Sequence, residues 1–152
     1  MNHTIGIDLG GTNTRIGLVA EDGKVIEVLK FKTYEHKELN DFVETLSDNI
    51  VLIVQKHNLP KESIKVGIGA PNGNYYAGTI EQAPNLPFKG IVPLVDLLKE
   101  SHKKKSYSAE VVLTNDANAA AMGEKIYGKA KNVRDFVMIT LGTGVGSGIF
   151  VD

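Results

Sequence analysis

Three strand-like segments follow one another at the start of the chain with no helix between them: Thr4–Asp8, Thr14–Ala20 and Lys24–Lys32. Each is rich in Ile, Val, Leu and Thr. Gly10-Gly11-Thr12-Asn13 and Glu21-Asp22-Gly23 separate them, and an Asp-Gly pair between apolar runs is a hairpin signal. Strands joined by such short turns pair antiparallel, because a parallel neighbour needs a crossover of a dozen residues or more. That beginning excludes an all-parallel, doubly wound domain. Strand and helix then alternate. Leu39, Phe42, Val43, Leu46, Ile50, Ile53 and Val54 form one helical stripe, which predicts a helix over Glu38–His57 ended by Asn58 and Pro60. Ile64–Ala70 reads as a buried strand. Pro71 to Gly90 is loop-like, with a small hairpin around Tyr75–Ile80. A short helix is expected over Ile91–Lys99, a strand over Glu110–Leu113 and an alanine-rich helix over Asp116–Tyr127. A last strand pair spans Phe136–Leu141 and Ser147–Val151. The expected fold is α/β: a mixed sheet with helices on both faces.

The 152 residues suit one domain. A net charge of −1 provides no basic field for nucleic acid. Lys103-Lys104-Lys105, the one basic cluster, reads as a solvated loop. Cysteine is absent, which excludes disulfides and thiolate metal sites within these residues and fits a reducing cytosol. No signal peptide is visible before the first strand. No apolar stretch approaches the ~20 residues of a membrane span. The chain stops directly after a strand, so a truncated boundary is expected.

Three motifs carry chemistry. In Asp8-Leu9-Gly10-Gly11-Thr12-Asn13 a strand ends near a carboxylate, and two glycines then let backbone N–H groups approach anion oxygens. Thr12 and Asn13 can donate to the same oxygens, and Asp8 can hold Mg²⁺ through water. It is neither a Walker A loop nor a dinucleotide fingerprint, and taken alone it is equally a plain hairpin turn. In Leu141-Gly142-Thr143-Gly144-Val145-Gly146-Ser147-Gly148, glycines at a spacing of two bare one face of a hairpin, against which a nucleotide or a closely packed neighbour could lie. In Leu113-Thr114-Asn115-Asp116-Ala117-Asn118, a strand runs into a helix start. Asp116 there is either an N-cap or a general base toward an attacking hydroxyl.

Taken together and in order, these motifs resemble the ROK family of sugar kinases and repressors within the actin-like ATPase superfamily, especially its bacterial glucokinases. Ala83-Pro84-Asn85-Leu86-Pro87 is similar to that family's sugar loop. The resemblance covers essentially the whole chain. It implies the N-terminal lobe, residues 1–152, of an actin-like (ribonuclease-H-like) kinase whose C-terminal lobe is absent from this chain. It implies an ATP-dependent hexose 6-phosphotransferase with Asp116 as catalytic base. Asn85 and Asn115 would contact the hexose, glucose first among candidates. ATP phosphates would be held by Gly10, Gly11, Thr12, Asn13, Gly142, Thr143 and Gly144, with Asp8 facing Mg²⁺. Arg15 and Glu124 are expected to be exposed or salt-bridged rather than part of the site. The resemblance places the protein in the cytoplasm, apart from membranes and nucleic acid, and admits a homodimer. Fructose, mannose, allose or an N-acetylhexosamine are alternatives to glucose. A sugar-sensing repressor and a non-catalytic actin-like ATPase are alternatives to a kinase. The repressor would need a DNA-binding helix-turn-helix before the first motif, where a strand begins at Thr4. Two departures stand out. Pro71-Asn72-Gly73 replaces the family's usual Pro-Gly-Pro. The family's sugar-binding Glu and His, and its zinc site, would lie beyond the second glycine motif.

Overall fold

The computed structural model describes residues 3–141 and 145–151. Its chain order is β1 (His3–Leu9), β2 (Asn13–Ala20), β3 (Val25–Lys32), α1 (Leu39–Lys56), β4 (Ile64–Ala70), β5 (Gly73–Asn74), β6 (Thr79–Glu81), β7 (Ile91–Val92), α2 (Leu94–Lys104), β8 (Ala109–Asn115), α3 (Asp116–Ile126), β9 (Phe136–Leu141) and β10 (Val145–Phe150). The main sheet runs β3-β2-β1-β4-β8. Its first three strands pair antiparallel, whereas β4 lies parallel to both β1 and β8. The expected mixed sheet is therefore present.

Alternation along the strands sends Ile5, Ile7, Leu9, Ile16, Leu18, Val66, Ile68, Val111 and Leu113 to one face. There α1 contributes Phe42, Leu46, Ile50 and Ile53, and α2 contributes Leu94 and Leu98, all fully buried. Each such side chain contributes about 1.5–3 kcal/mol by leaving water, so this layer is the core. On the other face α3 lies across β4 and β8, and at Gly69 an added Cβ would touch Ala119.

The second helix begins later than expected and runs further. Ile91 and Val92 pair with β6 as β7, because a residue preceding proline is disfavoured in the helical region, and Pro93 then sits at the N-cap of α2. The helix continues through Lys104, so the lysine run is no loop. Lys105 reaches Glu44 at 2.9 Å and Asp48 at 2.7 Å on α1. Burial disfavours its charge, but the bonds to Asp48 and Glu44 more than offset that and raise its pKa. The small hairpin pairs Gly73–Asn74 with Thr79–Glu81, leaving Tyr75–Gly78 as its turn. The final strand begins at Val145, two residues before its expected start.

β9 and β10 form a separate hairpin on α3. An added Cβ at Gly148 would strike the Ala121 methyl and the Ala117 carbonyl, and one at Gly146 would meet Thr140 and Ala117. The bare face at Gly148 is thus a packing face for the small side chains of α3, with Gly146 at its border. Gly148→Ala is expected to cost about 1–3 kcal/mol by overpacking. Urea denaturation measures this, and an unchanged midpoint would mean that the hairpin does not bear on α3. The hairpin's opposite face carries Val137, Ile139, Leu141, Val145 and Ile149 to solvent, with Leu141 81% exposed.

Candidate active site

The three parallel strands β1, β4 and β8 end on one side of the sheet. Their ends deliver Gly10-Gly11-Thr12, Pro71-Asn72 and Asn115-Asp116 to one cleft of about 920 Å³. Ligands of open α/β sheets characteristically bind at such carboxyl ends. Asn85, Asn118, Thr140, Leu141, Val145, Gly146 and Ser147 complete the lining. The structure therefore brings together Gly10, Gly11, Thr12, Asn85, Asn115 and Asp116 of the expected residues. Asp8 and Asn13 are not among the lining. Gly142, Thr143 and Gly144 lie outside the described residues.

In the first glycine turn, the Gly10 N–H donates to the Asn13 carbonyl at 3.0 Å, so that amide is engaged within the turn. The Gly11 and Thr12 amides make no hydrogen bond among the described residues, and they are the donors left for an anion. Gly11 must be glycine for a second reason: an added Cβ would fall on the main-chain carbonyl of Asn85. The loop carrying Asn85 rests directly on the glycine turn. Asn85 itself is exposed, between buried Ala83 and Leu86.

At the β8–α3 junction the cap is Asn115 and not Asp116. Asn115 Oδ1 accepts from the N–H groups of Ala117 at 3.0 Å and Asn118 at 3.4 Å. β8 is extended only as far as Asn115, so the helix begins one residue earlier than an aspartate cap would require. Asp116 is the first helical residue. It is exposed, and one carboxylate oxygen accepts from the Ala117 N–H at 2.8 Å. Its other oxygen has no hydrogen-bond partner among the described residues. A carboxylate oxygen thus stands open on the cleft as a proton acceptor.

Asp8 lies on the α3 side of the sheet, paired in register with Gly69, over which Ala119 and the Asp116 main chain pass. Its carboxylate is exposed and meets Arg15 only loosely, at 4.0 Å. Exposed pairs of this kind are worth little. Glu124 accepts from the Lys129 N–H at 3.0 Å. Arg15 and Glu124 are both exposed, as expected of them. Among the described residues no three His, Asp or Glu side chains cluster as a metal site, and no helix is long and apolar enough to cross a membrane.

Sequence reasoning did not assign Asn72, Asn118, Thr140 or Ser147 to the site. Asn118 was detectable as the residue one turn into the helix from Asn115. Asn72 stands two residues past the end of β4, whose last residue, Ala70, pairs with Asn115.

Comparison with known proteins follows the same line. The sequence matches the ROK family over residues 4–152. It is 36% identical to the glucokinase of Thermotoga maritima over 95% of this chain and 43% of that protein. It is also 36% identical to the xylose repressor of Caldicellulosiruptor bescii, over 97% of this chain and 36% of the repressor. Among solved structures, the ROK family glucokinase of Streptomyces griseus in complex with glucose and AMPPNP superposes with a TM-score of 0.72 at 32% identity, covering 99% of this chain and 45% of that one. The chain spans less than half the length of each of these proteins.

Proposed function

The chain belongs to the ROK family, and from that premise we propose that it is the N-terminal lobe of an ATP-dependent hexose kinase with glucose as the leading substrate. The single observation carrying this reading is the exposed Asp116 carboxylate, set in one cleft with the Gly10–Thr12 turn and Asn85. In the reaction, a sugar hydroxyl oxygen forms a bond to the γ-phosphorus while the bond from that phosphorus to the β–γ bridging oxygen breaks. The hydroxyl proton goes to Asp116, and ADP leaves. Catalysis of this kind is mostly positioning and charge stabilisation. The Gly11 and Thr12 amides hold phosphate oxygens, together with Thr143 and Gly144 of the second glycine motif. Asn85 and the amide nitrogen of Asn115, which makes no hydrogen bond among the described residues, orient the sugar. Mg²⁺ neutralises phosphate charge when bound, and one exposed carboxylate with waters suits that ion. Asp8 would supply that carboxylate, exposed beside the start of α3, loosely paired with Arg15 and outside the cleft lining.

The working enzyme is longer than 152 residues in this reading. The exposed apolar face of the β9–β10 hairpin and the coverage of under half of the relatives support a second lobe seated there. Closure of two lobes over the sugar excludes water. The chain alone is therefore expected to show little or no turnover, while the complete protein releases ADP only when a hexose is present. A panel of glucose, fructose, mannose, allose and N-acetylhexosamines, assayed by ADP release, tests this. ADP release by the complete protein without any sugar would instead favour an actin-like ATPase.

The likeness to the xylose repressor supports a second reading, a sugar-sensing regulator. It predicts hexose or pentose binding without ADP release, together with retention of a specific DNA fragment by the complete protein.

A further inference from the structure

Asn72 stands where β4 leaves the sheet, with its backbone at φ +52°, in the left-handed region. Among non-glycine residues asparagine tolerates that conformation best. Its carbonyl accepts from the Glu81 N–H at 3.1 Å. Its side-chain amide donates to the carbonyls of Glu81 at 3.0 Å and Gln82 at 3.3 Å. Gln82, also at φ +52°, donates its N–H to the Gly90 carbonyl at 2.9 Å, which closes the base of the loop over residues 83–89. Inside that loop Ala83 and Leu86 are buried, and Lys89 Nζ donates to the carbonyls of Pro84 at 3.1 Å and Leu86 at 3.0 Å. The loop is thus an internally braced unit with Asn85 exposed on it. It meets the glycine turn at Gly11 and the end of β4 at Asn72.

We propose that Asn72 is a positioning residue for the acceptor sugar: its side chain straps the loop carrying Asn85 to the end of β4 and so sets where the sugar stands relative to Asp116. The inference rests on the hexose-kinase reading of the cleft. Asn72, Asn85 and Asp116 line the same space, and the donor amide of Asn72 is wholly committed to the Glu81 and Gln82 carbonyls, at the end of β6 and the base of the loop. Without it the braced loop shifts as a body and does not unfold, because Ala83, Leu86 and Phe88 remain in the core. A shift of about 1 Å at a reacting group is enough to cost substantial rate.

The test uses the complete protein and two variants. Asn72→Gly accepts the left-handed backbone and deletes the strap together with the side chain's own share of the cleft wall. Asn72→Asp keeps the shape but turns an acceptor toward two carbonyl oxygens. Asn72→Gly is expected to raise the KM for the sugar about tenfold and lower kcat severalfold, with the KM for ATP and the melting temperature close to wild type, and Asn72→Asp to do more. A fall in melting temperature with the ratio of sugar KM to ATP KM unmoved would mean a merely structural bond and overturn the proposal. An active wild type with both variants at the wild-type sugar KM would overturn the strap alone. A complete protein that phosphorylates no hexose would overturn the reading of the cleft and the strap with it.

Discussion

Replacing Asp116 by alanine in the complete protein is expected to lower kcat about 10²–10⁴-fold, the usual range for a lost general base, with little change in melting temperature. The local geometry separates catalysis from capping. The helix amides of Ala117 and Asn118 are satisfied by Asn115 Oδ1, so Asp116 supplies only a further contact to Ala117. The neighbouring change Asn115→Ala removes the cap, at a cost of about 1 kcal/mol of stability, together with the amide that orients the sugar. Steady-state kinetics and thermal unfolding of the two variants form a matched pair. A stable Asp116→Ala enzyme with wild-type turnover would remove the carboxylate from the reaction.

The second large effect concerns acid. His102, on α2 against α1, has no exposed surface, and both of its ring nitrogens lack hydrogen-bond partners among the described residues, as does Ser47 Oγ on α1. Burial foremost, and then the Lys105 ammonium, push its pKa from 6.5 down to about 4, against a smaller opposing pull from Glu44 on α1. The folded chain therefore binds fewer protons than the unfolded one between those values, and stability rises with pH across that window. Lowering the pH from 6.5 to about 4 is expected to remove about 3 kcal/mol. Glu27, held low first by Lys56 and then by His57, and Glu44, held low by Lys105, also lose stabilisation in acid, but from the carboxylate range downward. His102→Leu should flatten the upper part of the profile and leave the carboxylate part intact. Urea midpoints of the 152-residue chain at closely spaced pH values read this directly. An unaltered slope between pH 6.5 and 5 in the variant would exclude His102 as its source.

The strands and α1 were legible because their signals are local. β-branched runs marked β1, β2 and β4, and the stripe from Phe42 to Val54 is the buried face of α1. The misplaced start of α2 has a local cause, Pro93 disfavouring a helical Val92, and a non-local one: Val92 also pairs with Ile80, which no window around Pro93 contains. At the site, the glycine turn and the Asn115-Asp116 junction were visible as motifs. The choice of Asn115 as cap was not, since both residues cap well and only the length of β8 decides between them. The second requirement on Gly11 was equally hidden, because the obstructing atoms belong to Asn85, far along the chain. Gly148 shows the same limit. Its spacing admitted either a ligand face or a closely packed neighbour, and the neighbour is the alanine face of α3.

The most direct measurement is a crystal structure of the complete protein with a hexose and a non-hydrolysable ATP analogue. It should show a sugar hydroxyl within hydrogen-bond reach, about 2.6–3.2 Å, of the Asp116 carboxylate, with the terminal phosphate against Gly11 and Thr12. A sugar whose hydroxyls all lie beyond reach of Asp116, or a triphosphate bound away from that turn, would contradict it.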